Sequence, residues 1–139
     1  MLLEVKNKID EFDRIAENVQ SFCTEHKIPE ERFQSISLIL DEVVTNVMNY
    51  AYPDGKEHTF TIKLEKCDKN ICICITDNGV AFDPLSLADP DTESSIDERQ
   101  IGGLGIFLVK QLSENLEYTR VDDKNQLYIV VSVDNEEEK

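Results

Sequence analysis

Ile71-Cys-Ile-Cys-Ile-Thr-Asp-Asn-Gly79 is apolar on both sides up to Thr76 and then turns abruptly polar. A short run without alternation predicts a central strand, covered by neighbours. Asp77 closes that strand. An acid at the end of a buried strand needs donors, because an unpaired buried charge is expensive. Gly79 lets another group approach the backbone closely. Asp-Asn-Gly also suits an ordinary β-turn. The sequel, Val80-Ala-Phe-Asp-Pro84, nevertheless leads into no returning strand. From Asp83 to Ile101 the chain has no clear period and is rich in Asp, Glu, Ser and Pro. Long irregular segments within compact domains are often lids.

The flanking segments supply the other elements. Phe60, Ile62 and Leu64 alternate with polar neighbours as in a half-buried strand, and Cys67 to Asn70 reads as a turn. Further upstream, Ile9, Phe12, Ile15, Ala16, Val19, Phe22 and Cys23 recur at helical spacing. Pro29 suits the first turn of a second helix. That helix carries Phe33, Ile36, Leu40, Val43, Val47 and Ala51 on one face and ends near Tyr50 to Tyr52. Downstream, Leu104 to Leu116 is helical. Leu116 to Val121 and Gln126 to Val133 form a closing hairpin around Asp122 to Asn125, and Leu2 to Val5 is a short first strand. This order predicts an α+β fold: a two-layer α/β sandwich with a mixed, mainly antiparallel sheet and helices on one face. It is read as a single domain over 1–139, with a lid at 83–101 and an acidic tail at 134–139.

The net charge of -15 argues against nucleic-acid and anionic-membrane binding, both of which need a basic face. It leaves room for ATP, an anion that magnesium, backbone N–H groups and a helix end can hold. No apolar run approaches the roughly 20 residues of a membrane span, and a cytoplasmic location is expected. Cys72 and Cys74 point to one side of their strand. With Cys23 and Cys67 distant, a metal site is a weaker reading than reduced packing residues.

Two further signatures carry chemistry. Glu42 and Asn46 are four apart, one turn above the other, on a face shared with Leu38, Ile39 and Asn49. A polar pair amid apolar residues suggests a cavity, where a carboxylate can accept a proton and an amide oxygen can ligate Mg²⁺. A solvated helix side is the plain alternative. Gly102-Gly-Leu-Gly105 follows no strand and precedes no Lys-Ser/Thr, which excludes a dinucleotide fingerprint and a P-loop. It does open a helix, where free N–H groups favour phosphate; a hinge is the other reading.

Glu42-x-x-x-Asn46 with Tyr50-Ala-Tyr52, Asp77-Asn-Gly-Val-Ala-Phe-Asp-Pro84 and Gly102-Gly-Leu-Gly-Ile-Phe-Leu-Val109 together resemble the three nucleotide boxes of the GHKL ATPase superfamily. The subgroup most like this chain is the small anti-sigma-factor serine/threonine kinases. The resemblance implies a Bergerat-type ATP pocket with Mg²⁺. It assigns Asn46 to the metal, Asp77 to the adenine amino group and Gly79 to close ring contact. Gly103 and Gly105 go to phosphates, and Asn49, Phe82, Gly102 and Leu104 to the rest of the nucleotide contact. Glu42 is the implied general base, and Arg99 the cation that reaches the γ-phosphate from the lid.

The implied activity is phosphorylation of a serine or threonine on an anti-anti-sigma (STAS-type) partner, with a sigma factor as the second partner and a homodimer as the family's usual state. The chain departs from the family in three places. Ile101 fills a slot that several relatives give to a basic residue, Tyr50 replaces a common His, and no clear adenine-contacting threonine stands in the last strands. Two rival readings are a nucleotide-gated binding module without kinase activity and a detached histidine-kinase catalytic domain.

Overall fold

The computed structural model describes residues 1–86 and 103–133. Strand β1 (Leu2–Lys6) leads through a tight turn at Ile9–Glu11 into α1 (Phe12–Glu25). Helix α2 (Glu30–Asn46) follows, with Pro29 just ahead of it accepting from Arg32 N–H (3.0 Å) and Phe33 N–H (2.9 Å). Then come β2 (Thr59–Cys67), β3 (Asn70–Asp77), α3 (Gly103–Leu112), β4 (Asn115–Val121) and β5 (Lys124–Ser132). Each expected element is present, including the short first strand. The lid expected at 83–101 begins with a turn at Pro84–Ser86. Its remainder, with Arg99, and the acidic tail at 134–139 lie outside the described residues, as does Gly102.

The five strands form one sheet in the order β1-β2-β3-β5-β4, with every described pairing antiparallel. β3 is the middle strand. Alternate residues from three strands face the helices: Phe60, Ile62 and Leu64, then Ile71, Ile73 and Ile75, then Leu127, Ile129 and Val131. They share one core with Ile15, Val19 and Phe22 of α1, Ile36, Leu40 and Val43 of α2, and Val109 of α3. Burying each such side chain contributes about 1.5–3 kcal/mol. The apolar second side of β3 is not matched by a second layer of described residues. Cys72 and Cys74 stand half-buried on that open face, Cys67 is exposed, and Cys23 belongs to the core.

The fold departs from the expected one at two places. The second helix ends at Ala51, within the expected Tyr50 to Tyr52, but its last turn, Val47–Ala51, is π-helical, a feature frequent beside functional sites. The closing hairpin is tighter than the sequence suggests. Its turn is only Asp122-Asp123, both in the left-handed region (φ 53° and 63°), so Lys124 and Asn125 already belong to β5. That geometry suits a two-residue hairpin turn, but a side chain held there costs about 1–2 kcal/mol. Among the described residues, no helix is long and apolar enough to cross a membrane.

Relieving one left-handed Cβ should therefore stabilise the hairpin. Asp123→Gly should raise unfolding stability by up to about 1 kcal/mol, part of the relief being offset by the greater freedom of the unfolded chain. Urea unfolding followed by circular dichroism measures it; a variant less stable than the parent would contradict this account of the turn.

Candidate functional site

A cleft opens where α2, its π-helical turn, the end of β3 and the start of β5 meet. Val43, Val47, Ala51, Ile75 and Leu127 supply its apolar walls, while Asn46, Asp77 and Asn125 bring polar atoms. These three are the buried polar residues among those described. A mostly apolar cleft with a few converging polar groups is the usual form of a small-molecule site.

Asp77 is 7% exposed, and register places it beside Asn125 of β5. Its Oδ1 accepts from Gly79 N–H and from Asn125 Nδ2, both at 2.9 Å. No donor to Oδ2 occurs among the described residues, so one carboxylate oxygen is committed to the fold and the other is left for a ligand. The turn after Asp77 is held from two sides. Val80 N–H donates to Ala51 O (2.8 Å), and Arg120 Nη1 donates to Gly79 O (2.8 Å). Behind it, the Tyr52 hydroxyl lies 3.2 Å from both Asn78 Oδ1 and Thr59 O. Burial, and then the charge of Asp77, push that phenol up to about 12.

Asn46, 8% exposed, is the second polar wall. Its Nδ2 is buried without a hydrogen-bond partner among the described residues. Leaving such a donor unsatisfied costs about 1–3 kcal/mol, a penalty that an acceptor on a bound molecule would remove. The donor set therefore fits an anionic, oxygen-rich ligand, with Oδ1 available to a hard cation such as Mg²⁺. Glu42 lies one turn earlier, half-buried, and its carboxylate packs against Gly105 near the start of α3. Of the expected residues, Asn46 and Asp77 line the cleft; Gly79 abuts Ala51 of its wall, while Glu42 and Gly105, close to each other, are not among the residues that line it. Phe82 joins the cleft and stacks on Tyr50 with ring centroids 5.0 Å apart.

Other expected residues stand differently. Asn49 is exposed and does not line the cleft. Gly103 and Leu104 form the first residues of α3. Arg99 and Gly102 lie outside the described residues.

Sequence reasoning misses three residues. It places Asn125 in a turn and gives Tyr118 and Arg120 no role. Tyr118 donates to Asn125 Oδ1 (2.5 Å), and Arg120 anchors the Gly79 turn. A signal for Asn125 is present in the chain: it stands in phase with Leu127, Ile129, Val131 and Val133, so it is a polar residue on an inward-facing row. Arg120 and Tyr118 lie on a strand whose pattern carries no comparable mark.

Comparison with known proteins gives a consistent picture. The family model for the histidine kinase-like ATPase domain matches residues 5–131. The serine/threonine-protein kinase BtrW of Bordetella bronchiseptica is 30% identical over 93 residues, covering 67% of this chain and 66% of that protein. The serine-protein kinase RsbW of Oceanobacillus iheyensis is 28% identical over 91 residues, covering 62% and 57%. An anti-sigma F factor of Clostridium perfringens is 24% identical over 125 residues, covering 90% and 88%. The chain thus spans just under two thirds of the first of these relatives and less of the second. Among solved structures, the SiaB–SiaC complex from Pseudomonas aeruginosa contains a chain with a TM-score of 0.68 at 15% identity, covering 94% of this chain and 88% of that one. The blue-light activated histidine kinase of Erythrobacter litoralis EL346 matches with a TM-score of 0.58 at 19% identity, covering 81% and 34%. These two likenesses concern the fold.

The two cradle glycines should respond differently to a methyl group. A Cβ on Gly79 would fall on the Ala51 carbonyl, which is backbone already bonded to Val80. Gly79→Ala should therefore cost about 1–3 kcal/mol of stability. A Cβ on Gly105 would meet only the tip of the Glu42 side chain, which can swing away. Within a helix, Gly→Ala is otherwise favourable by about 0.5–1 kcal/mol. Gly105→Ala should then keep or raise the melting temperature while displacing the Glu42 carboxylate. Thermal melts of the two variants check the contrast, and equal destabilisation would refute it.

Proposed function

The chain belongs to the histidine kinase-like ATPase domain family, and on that premise we propose that it binds Mg²⁺-ATP in the Asp77 cleft and acts as an anti-sigma regulatory kinase. It phosphorylates a serine or threonine on a small anti-anti-sigma (STAS-type) partner, which releases that partner and frees the kinase to hold a sigma factor. The observation that carries the nucleotide half of this reading is the pairing of open polar atoms across one cleft. An uncommitted Asp77 oxygen stands on one wall and the unpartnered Asn46 amide on another. The names of the relatives, a serine/threonine-protein kinase, a serine-protein kinase and an anti-sigma F factor, support the regulatory half.

The tasks divide among the residues of the cleft. Asp77 Oδ2 accepts from the exocyclic amino group of adenine, between apolar walls that exclude water. The absence of a Cβ at Gly79 keeps its turn close against the π-helical turn of α2. Asn46 donates through Nδ2 and offers Oδ1 to Mg²⁺. Backbone N–H groups at the start of α3 would hold phosphate oxygens, because the first turn of a helix leaves its donors free. Glu42 holds the proton released by the incoming hydroxyl. Arg99, in the stretch that the sequence reading takes as a lid, would add positive charge toward the γ-phosphate. ATP supplies the transferable phosphoryl group and Mg²⁺ the charge neutralisation on which this chemistry largely depends.

Two substitutions separate binding from transfer. Glu42→Ala should bind ADP within about threefold of the parent while losing on the order of 10²–10⁴ in transfer rate. Asn46→Ala should lose about tenfold or more of the Mg²⁺-dependent affinity and little of what remains in EDTA. Calorimetry and a transfer assay with a STAS-type partner provide the measurements, acid-stable label marking serine or threonine. Undiminished transfer by Glu42→Ala would remove its role as base, and a parent chain without saturable affinity for adenosine phosphates would end the whole reading.

A further inference from the structure

Asn125 uses its whole hydrogen-bonding capacity inside the cleft. Nδ2 donates to Asp77 Oδ1 (2.9 Å) and to Val80 O (2.8 Å). Oδ1 accepts from the Tyr118 hydroxyl (2.5 Å) and, at a longer 3.4 Å, from Phe82 N–H. The side chain is 5% exposed. This set of partners determines which way the amide points. Turned over, Nδ2 would face the Phe82 N–H, donor against donor. Oδ1 would face the Val80 carbonyl and the Asp77 carboxylate, acceptor against acceptor. One side of Asn125 is therefore a permanent donor to Asp77, and Tyr118 helps to hold it so.

The consequence falls on Asp77. A carboxylate held by a single donor can twist about its Cβ–Cγ bond and swing its other oxygen. With Gly79 N–H and Asn125 Nδ2 both on Oδ1, a twist would strain two hydrogen bonds, so the plane of the group and the direction in which Oδ2 accepts are fixed. A carboxylate oxygen in fixed orientation suits a ring that presents an amino group. It repels a ring that presents a carbonyl oxygen at the same place, as hypoxanthine and guanine do. Discrimination of this kind is steep when the site's polar groups are buried, because the wrong partner leaves them unpaired.

We propose that Asn125, held by Tyr118, is the positioning residue that gives the cleft its preference for adenine over 6-oxopurines by fixing the plane of the Asp77 carboxylate and so the direction in which its second oxygen accepts. This rests on the reading of the cleft as a nucleotide site and adds the source of base specificity to it. The hairpin geometry is what makes the arrangement available. The turn at Asp122-Asp123 is short enough to leave Asn125 in strand register with Asp77, and Tyr118 on the same hairpin reaches back across to it.

The test is the ratio of dissociation constants for inosine diphosphate and adenosine diphosphate, measured by calorimetry on the full chain with Mg²⁺ present. The parent should favour the adenine nucleotide by more than tenfold. Asn125→Ala, and Asn125→Leu as a substitution closer in volume, should each lower that ratio by about tenfold. Tyr118→Phe, which removes only the hydroxyl that restrains the amide, should lower it by a smaller factor of about three, and keeps the proposal testable if the Asn125 variants do not fold. A merely structural role would weaken both nucleotides alike and leave the ratio unchanged, which would overturn the proposal while the nucleotide reading stands. A parent that binds neither nucleotide would overturn the nucleotide reading first, and this inference with it.

Discussion

A nearly buried carboxylate at the end of the middle strand needs donors, and much of the architecture is arranged around that requirement. Asp77 sits where β3 leaves the sheet, 7% exposed. An unpaired charge there would cost several kcal/mol. Two donors reach it: the Gly79 backbone, through the turn that ends the strand, and Asn125, through the register of β5. Both act on one oxygen. The result is a carboxylate paired well enough to be tolerated and incompletely enough to recognise something.

Close backbone approach is the second organising constraint. Val80 N–H reaches the Ala51 carbonyl only because Gly79 has no side chain in the way. The π-helical turn at Val47–Ala51 presents that carbonyl. Elsewhere along α2, Gly105 lets α3 approach the Glu42 carboxylate. These glycines serve as spacers between elements, and the cleft exists because the elements stop where they do. The unpartnered Asn46 amide then marks the place where the apolar packing of α2 gives way to a polar wall.

Much of this is legible from the chain. The alternation of Phe60, Ile62 and Leu64 and the spacing of Ile36, Leu40 and Val43 mark a strand and a helix correctly, because a single buried face imposes a period that survives in sequence. Asn46 and Asp77, which line the cleft, are legible as well, since each is a polar residue interrupting an apolar pattern. Asn49 is misleading: being near Asn46 in sequence does not aim a side chain at the same cleft once the helix widens into a π turn. The run from Ile71 to Thr76 marks the middle strand correctly, with cysteines half-buried on the side away from the helices.

Asn125 shows where such reading ends. Periodicity alone determined that a strand would run through Leu127, Ile129 and Val131 and that it would pack under helices, because burial of alternate residues is a local property of a strand. Which residue of β3 would lie opposite Asn125 was decided only by the tertiary structure. Register depends on the length of the Asp122-Asp123 turn and on how two distant strands pair, and a slip by one residue would turn Asn125 away from the cleft. The catalogue of polar residues is local information. Their convergence on one carboxylate oxygen is not, because a hydrogen bond across 48 residues of chain exists only after the sheet has closed.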